Sequence, residues 1–192
     1  MHLYSQDLYN AISIGNRAFW YVKVHSINCP NLTSLGDTAF RENPVLTNVD
    51  CLGKISSIPN NCFNKDTALQ TVKIPYECTG IESNAFNGCS SLTSITQYNK
   101  SLDDYTEGET PAFTNISRIT SFGTSCFEGC SLLSLTPQDI QNATTIGTNA
   151  FKGVLLSGTL NLPNLTGTLG TNSFYNTGIS SISSLGTVTT IE

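Results

Sequence analysis

The chain has 192 residues, enough for one ordinary domain. Only 12% of them are charged, the net charge is −5 and Lys and Arg never cluster, which excludes a basic nucleic-acid footprint and a polybasic membrane contact. No apolar run approaches the ~20 residues of a bilayer-spanning helix, and the opening Met1-His2-Leu3-Tyr4-Ser5-Gln6-Asp7 has neither the basic region nor the apolar stretch of a secretory signal.

Leu3, Tyr4, Leu8 and Tyr9 have weak helical spacing, which predicts a short cap within Leu3–Ala11. Ile12 and Ile14 then open a pattern that runs through the chain. Phe19, Phe40, Phe63, Phe86, Phe127, Phe151 and Phe174 each follow a small residue (Ala18, Ala39, Cys62, Ala85, Cys126, Ala150, Ser173). Five residues before each Phe stands another apolar residue: Ile14, Leu35, Ile58, Ile81, Phe122, Ile146 or Leu169. Successive Phe residues are 21, 23, 23, 41, 24 and 23 apart. A fixed period of this length marks a solenoid, whose units stack because none buries its apolar face alone. The Phe residues therefore form an internal stack.

Between successive Phe segments, residues such as Val72 and Ile74 alternate with polar ones, as a half-buried strand requires. The Ala-Phe segment is too short for a long helix and reads as one helical or 3₁₀ turn on the opposite wall. Gly88, Gly129 and Gly153 follow Phe by two and permit a left-handed turn there. Trp20 and Tyr21 either pack under the amino-terminal cap or form an aromatic patch on the outer wall, the cap being the favoured position. His25 stands at a degenerate leucine position and reads as a partly exposed wall residue.

The seven Cys residues follow the repeat. Cys62 and Cys126 precede Phe, Cys89 and Cys130 follow it by three, and Cys29 and Cys51 take strand positions equivalent to Ile74. Buried thiols acting as small apolar residues explain this phase. A cross-repeat disulfide, with Cys89 and Cys130 as the stacked pair, and a metal site are the alternatives, although Cys126-x-x-x-Cys130 lacks zinc spacing.

The 41-residue step is one period plus about 18 residues, placing an insertion near 97–113. Asp103, Asp104, Glu107 and Glu109 stand there against Lys100 alone, flanked by Tyr98, Tyr105 and Phe113. Such insertions map to loops and are often binding surfaces. Tyr98, Asp103, Asp104, Tyr105, Glu107 and Glu109 are the candidate protein-contact residues, on a loop expected to be more mobile than the repeats. A solvated excursion without a partner is the plainer alternative, and the acidic order does not match an EF-hand. If the loop is not the site, the strands around Lys54, Lys73 and Gln97 are. At the far end, Ile182, Leu185, Val188 and Ile191 belong to a turn without a successor, and Ile191-Glu192 repeats Ile81-Glu82. The expectation is a fragment of a longer array, or an edge that self-associates through 180–192.

Leu69 to Cys89, reading Leu-x-x-Val-x-Ile-Pro and then Ile-x-x-x-Ala-Phe-x-x-Cys, resembles the leucine-rich repeats of BspA-like (Treponema-type) surface proteins. The likeness covers nearly the whole chain except about 1–10 and 97–112, with His25, Ser157 and Ser180 at degenerate positions. It implies an α/β solenoid: a right-handed superhelix with a short-stranded parallel sheet on the concave face and short helical or 3₁₀ turns opposite. The chain then reads as one leucine-rich-repeat domain over 1–192, with about seven to eight repeats of ~23 residues. The resemblance further implies a surface-exposed or secreted binder of host or matrix proteins.

No His-Glu-x-x-His, phosphate loop or nucleophile elbow occurs, and the two His residues give catalysis little to work with. The expectation is a non-catalytic protein-binding module with no cofactor and no metal. A structural or assembly element is the alternative. Sequons at Asn31, Asn99, Asn115, Asn142 and Asn164 occur at the frequency that an Asn-, Ser- and Thr-rich chain gives by chance.

Overall fold

The computed structural model describes residues 2–3 and 5–192. The chain is a parallel β-solenoid of about eight turns with few helices. One wall is built from two-residue strands that lengthen in the last two turns, most of them contributing a Ser or Thr and one inward apolar residue. Ser13–Ile14 pairs with Ser34–Leu35. Ser57–Ile58, Gly80–Ile81, Ser121–Phe122, Thr145–Ile146, Thr166–Leu169 and Thr187–Ile191 then form a six-stranded parallel sheet. The second wall carries longer strands, Ser26–Asn28, Asn48–Cys51, Thr71–Ile74 and Ser94–Tyr98, in parallel register. Alternation is visible there: Val72 and Ile74 are buried while Thr71 and Lys73 are half-buried.

The Phe segments close each turn, and they are not helical. Every one is a run of turns with two left-handed residues, one two positions before Phe and one two after. The first set is Arg17, Thr38, Asn61, Asn84, Ser125, Asn149 and Asn172; the second is Tyr21, Glu42, Lys65, Gly88, Gly129, Gly153 and Asn176. The glycine signal was thus half of a stricter rule. A left-handed residue on each side of Phe turns alternate amides along the solenoid axis. Asn61, Phe63 and Lys65 donate to Ser83, Ala85 and Asn87 of the next repeat at 3.0, 2.8 and 2.7 Å. The intervening amides close local turns, as Cys62 does onto Pro59 and Asn64 onto Asn61. Asn holds four of the seven positions before Phe because its short polar side chain tolerates this conformation.

The rings stack inside this column. Centroid separations run 5.3, 5.7, 5.3, 5.5, 6.0 and 5.6 Å from Phe19 to Phe174. Interplanar angles stay at or below 12° except for 24° between Phe127 and Phe151, where Phe122 replaces the usual Ile and wedges against both rings. Phe40, Phe63, Phe86, Phe127 and Phe151 are fully buried, and the end members Phe19 and Phe174 are half-buried.

All seven Cys residues are buried as free thiols. Burial pushes those of Cys29, Cys78 and Cys130 up to about 12. Cys89 and Cys130 each donate to a Phe carbonyl of the preceding repeat, at 3.0 and 3.1 Å. In the same column stands Asp66, fully buried; one carboxylate oxygen accepts from the Asn43 amide at 2.7 Å and the other has no partner among the described residues. Burial, with repulsion from Glu42, raises its pKa well above the ordinary carboxylate value despite the Asn43 bond.

At the amino end, the helix Ser5–Leu8 packs on the strand Ser26–Asn28, and Leu8 joins the core. The backbone of His2–Leu3 pairs in parallel with Lys23–Val24, while the expected part of Tyr4 in the cap lies outside the described residues. The cap covers the longer-stranded wall and not the turn column. Trp20 and Tyr21 accordingly lie on the surface, 41% and 73% exposed, and not beneath the cap. His25 is half-buried at the start of that wall, its carbonyl accepting from the Thr47 amide at 3.0 Å.

Two outcomes follow. Phe86→Ala opens a ring-sized gap in the stack and should cost about 3–5 kcal/mol in urea unfolding; a loss below about 1 kcal/mol would mean that the ring column does not hold the core. Asp66→Asn keeps an oxygen for the Asn43 amide and removes an acid the interior disfavours as an anion. As pH rises above about 4 the unfolded chain releases this proton while the folded chain keeps it, so stability falls with pH. The variant should melt higher than the parent at pH 7, with the gap closing near pH 4; equal melting at both pH values refutes the assignment.

Candidate functional surface

The insertion leaves the solenoid by one wall only. Gly80–Ile81 pairs directly with Ser121–Phe122, and the amides of Asn84, Phe86 and Gly88 donate to Thr124, Cys126 and Glu128 at 2.8, 2.9 and 2.8 Å, as though no residues lay between. Only the longer-stranded wall is interrupted. Ser94–Tyr98 pairs antiparallel with Phe113–Thr114, in the register Gln97 with Thr114 and Tyr98 with Phe113. A new three-stranded sheet of Ser134–Leu135, Leu155–Asn161 and Gly178–Ser184 follows.

The base of the insertion is tightly held. Gln97 takes an apolar strand position but is fully buried, its amide donating to the Pro75 and Cys78 carbonyls at 2.9 and 2.8 Å. It is a structural residue and not an exposed contact. Tyr98, predicted to touch a ligand, is 6% exposed: its ring lies 4.8 Å from that of Phe113 and its hydroxyl donates to the Asp50 carbonyl at 3.0 Å. Burial pushes its phenol pKa up. Lys73 pairs with Asp50 at 3.2 Å and sits 5.0 Å from the Phe113 ring centroid. On the return path, Arg118 stacks on Tyr76 at 3.8 Å and donates to its carbonyl at 3.1 Å.

Beyond this base the loop folds back across the wall and contains a 3₁₀ turn, Leu102–Asp104. Asp103 reaches Lys54, two repeats away in the stack, and Ser101 bonds Glu77. Pro30, Asn31, Thr33, Lys54, Leu102 and Asp103 enclose a cavity of about 390 Å³ beneath it. Within the loop, Lys100 pairs with Glu109 at 2.7 Å and lies over the Tyr105 ring at 4.6 Å, while the Tyr105 hydroxyl meets Asn99. The Lys100 hydrogen bond and the Thr106 amide lower the Glu109 pKa. The predicted residues therefore divide. Tyr98 supports from below, Asp103 ties the loop to Lys54 of the wall, Tyr105 and Glu109 hold the loop's own shape, and Asp104 and Glu107 stand exposed without an ion pair among the described residues. No group of three or more His, Cys, Asp or Glu side chains able to hold a metal occurs among the described residues.

The repeat architecture also matches a known family model, the BspA type leucine-rich repeat region, in six copies over residues 6–120 and 107–192. The chain belongs to the BspA-type leucine-rich repeat family. No curated protein matches it. Among solved structures it is similar to a leucine-rich repeat protein from Bacteroides ovatus, at 19% identity and a TM-score of 0.45, over 93% of this chain. The chain spans 60% of that protein's length. No helix of this BspA-type chain, among the described residues, is long and apolar enough to cross a membrane.

A second surface feature lies at the amino end of the turn column. The Trp20 indole donates to Glu42 at 3.3 Å and has the Arg17 and Arg41 guanidiniums each 5.7 Å from its centroid. Burial opposes ionisation of Glu42, but the Trp20 bond and the Arg41 and Lys65 charges outweigh it and its pKa falls. The sequence did not single out Arg17, Arg41 or Glu42; the available signal was their offsets, Arg17 two before Phe19 and Arg41 and Glu42 one and two after Phe40.

Proposed function

We propose that this BspA-type chain is a non-catalytic protein-binding module, displayed at the cell surface or secreted, whose ligand contacts the insertion and the wall beneath it. The observation that carries this reading is the folded insertion itself. It breaks one wall of an otherwise regular solenoid, and Asp103 and Lys54 hold it down across two neighbouring repeats. Its one cation, Lys100, is paired with Glu109, and Asp103 is paired with Lys54 of the wall, which leaves Asp104 and Glu107 as unpaired charges and favours a ligand segment carrying Lys or Arg. On this reading the longer-stranded wall is the concave face of a right-handed superhelix, and adhesion or host interaction is the role. Family membership supports both.

Because Tyr98 and Phe113 face each other across the base, residues 99–112 can be replaced by Asn-Gly to give a tight hairpin. The shortened protein should keep its stability within about 1 kcal/mol. It should also lose binding to those members of a panel of purified extracellular-matrix proteins that the parent binds in surface plasmon resonance. Undiminished binding by the shortened protein removes the insertion from the site.

A second reading, an assembly element, has its own observation. Each turn column donates its axial amides to the next repeat, and among the described residues those of Asn172, Phe174 and Asn176 have no acceptor. Beside them Ile182 and Ile191 are 49% and 67% exposed on edge strands. End-to-end association would cover this face. Light scattering should then show concentration-dependent oligomers that Val188→Lys with Ile191→Lys disperses; a parent that stays monomeric rules the assembly reading out.

A further inference from the structure

The chain's single tryptophan is on the surface, beside two of its three arginines. Backbone position alone does not explain this arrangement, because the equivalent residues of the other repeats are Arg41, Asn64, Asn87, Glu128, Lys152 and Tyr175, and of these only Tyr175 is aromatic. Trp20 is fixed in orientation: its N–H is spent on Glu42, and Glu42 is itself held by Arg41 at 3.1 Å and Lys65 at 3.8 Å. A rigid aromatic surface therefore remains 41% exposed, with Tyr21 next to it.

The two arginines differ. Arg41 is neutralised by Glu42, whereas Arg17 is exposed and forms no ion pair among the described residues. Arg17 also lines a shallow cavity of about 430 Å³ with Asn16, Asp37, Thr38 and Asn61. The ordered polar groups there are linked from repeat to repeat: Asn16 accepts from the Asp37 amide at 2.9 Å, and Asp37 accepts from the Asn60 amide group at 3.4 Å.

Those walls present amides, a hydroxyl, a carboxylate and a guanidinium, and no aliphatic side chain. An apolar peptide anchor would find nothing to bury against. A nucleic acid draws its affinity from many neutralised phosphates, and one unpaired guanidinium is too few. A pyranose suits both halves, since its C–H face packs on an aromatic ring and its hydroxyls need mixed donors and acceptors. The unpaired guanidinium adds a planar fork matched to a carboxylate. We propose that this ridge binds a carboxylate-bearing sugar, with Trp20 as the stacking platform, Arg17 on the carboxylate, and Asn16, Asp37 and Asn61 on the hydroxyls. The site is separate from the insertion, which leaves the longer-stranded wall and lines none of this cavity.

The single tryptophan makes the test direct. Trigalacturonate and sialyllactose, titrated separately, should change the intrinsic tryptophan fluorescence saturably for at least one of the two, and calorimetry should give the same affinity. The neutral counterparts, galactotriose and lactose, should bind at least about tenfold more weakly, and Arg17→Gln should remove that preference. Trp20→Ala should abolish the calorimetric signal for the acidic sugar. Arg17 and Trp20 are both exposed, so each variant should keep the parent's urea midpoint, which separates lost binding from lost folding. The 99–112 deletion should bind the acidic sugar as the parent does. Saturable binding by neither acidic sugar, equal binding of acidic and neutral sugars, or an Arg17→Gln variant that still prefers the acid overturns the proposal.

Discussion

The axial hydrogen bond of the turn column is the interaction on which the architecture depends. A stack of similar loops exposes backbone amides at every corner, and a buried amide without a partner costs about as much as a lost hydrogen bond. This chain solves the problem with two left-handed residues per repeat, which aim alternate amides at the next layer and close the rest into local turns. A left-handed non-glycine residue costs about 1–2 kcal/mol. The cost is met at almost every repeat because the same geometry drives Phe inward, where stacked rings and burial offset it. Close approach at the corner has a further consequence. A side chain at Gly147 or Gly170 would come within 2.6 Å or 2.3 Å of a backbone nitrogen in the preceding repeat.

This division of labour explains how the insertion is tolerated. Two of the three columns, the turns and the two-residue strands, run through it without a break. The third column can then be reversed locally, and the antiparallel strand Phe113–Thr114 pairs the edge that Ser94–Tyr98 would otherwise leave open. Gln97 shows the compensation at the level of one residue. It breaks the apolar rule of its column, yet its amide satisfies two carbonyls at the corner just before the chain departs.

The Phe phase, the buried thiols and the site of the insertion were legible because burial itself is periodic, and period survives in sequence. Helical turns opposite the strands were not the outcome. Apolar residues five apart fit a left-handed turn pair as well as a helical one, and only the recurrence of Asn two before Phe distinguished them. Tyr98 was misplaced for a related reason: as part of an acidic, tyrosine-flanked segment it looked like a loop residue, but it still belongs to the strand that began at Ser94. Trp20 was placed beneath a cap because sequence order suggested proximity. The helix Ser5–Leu8 instead covers the neighbouring wall, and wall identity is set by pairing partners that no local window contains.

Once the backbone is held axially, the residue after Phe is open to change in most repeats, Asn64 being the buried exception, and chemistry can be written there repeat by repeat. Adjacent repeats bring these residues within reach of one another, as Glu128 meets Lys152 at 2.9 Å and Arg41 lies against Trp20. A change at one outward residue thus alters a local pair without disturbing the amide ladder under it. Surface ion pairs of this kind contribute only about 0–1 kcal/mol, so their loss is affordable and their identity is open to selection for binding. The interior works under the opposite rule. Each buried position contacts two neighbouring layers, and even Phe122, an in-phase substitution of one apolar residue for another, tilts the rings on both sides of it. The solenoid therefore separates a strict core from a permissive ridge, and the same regularity that makes the fold readable leaves its recognition surfaces to the few places where the pattern is broken or decorated.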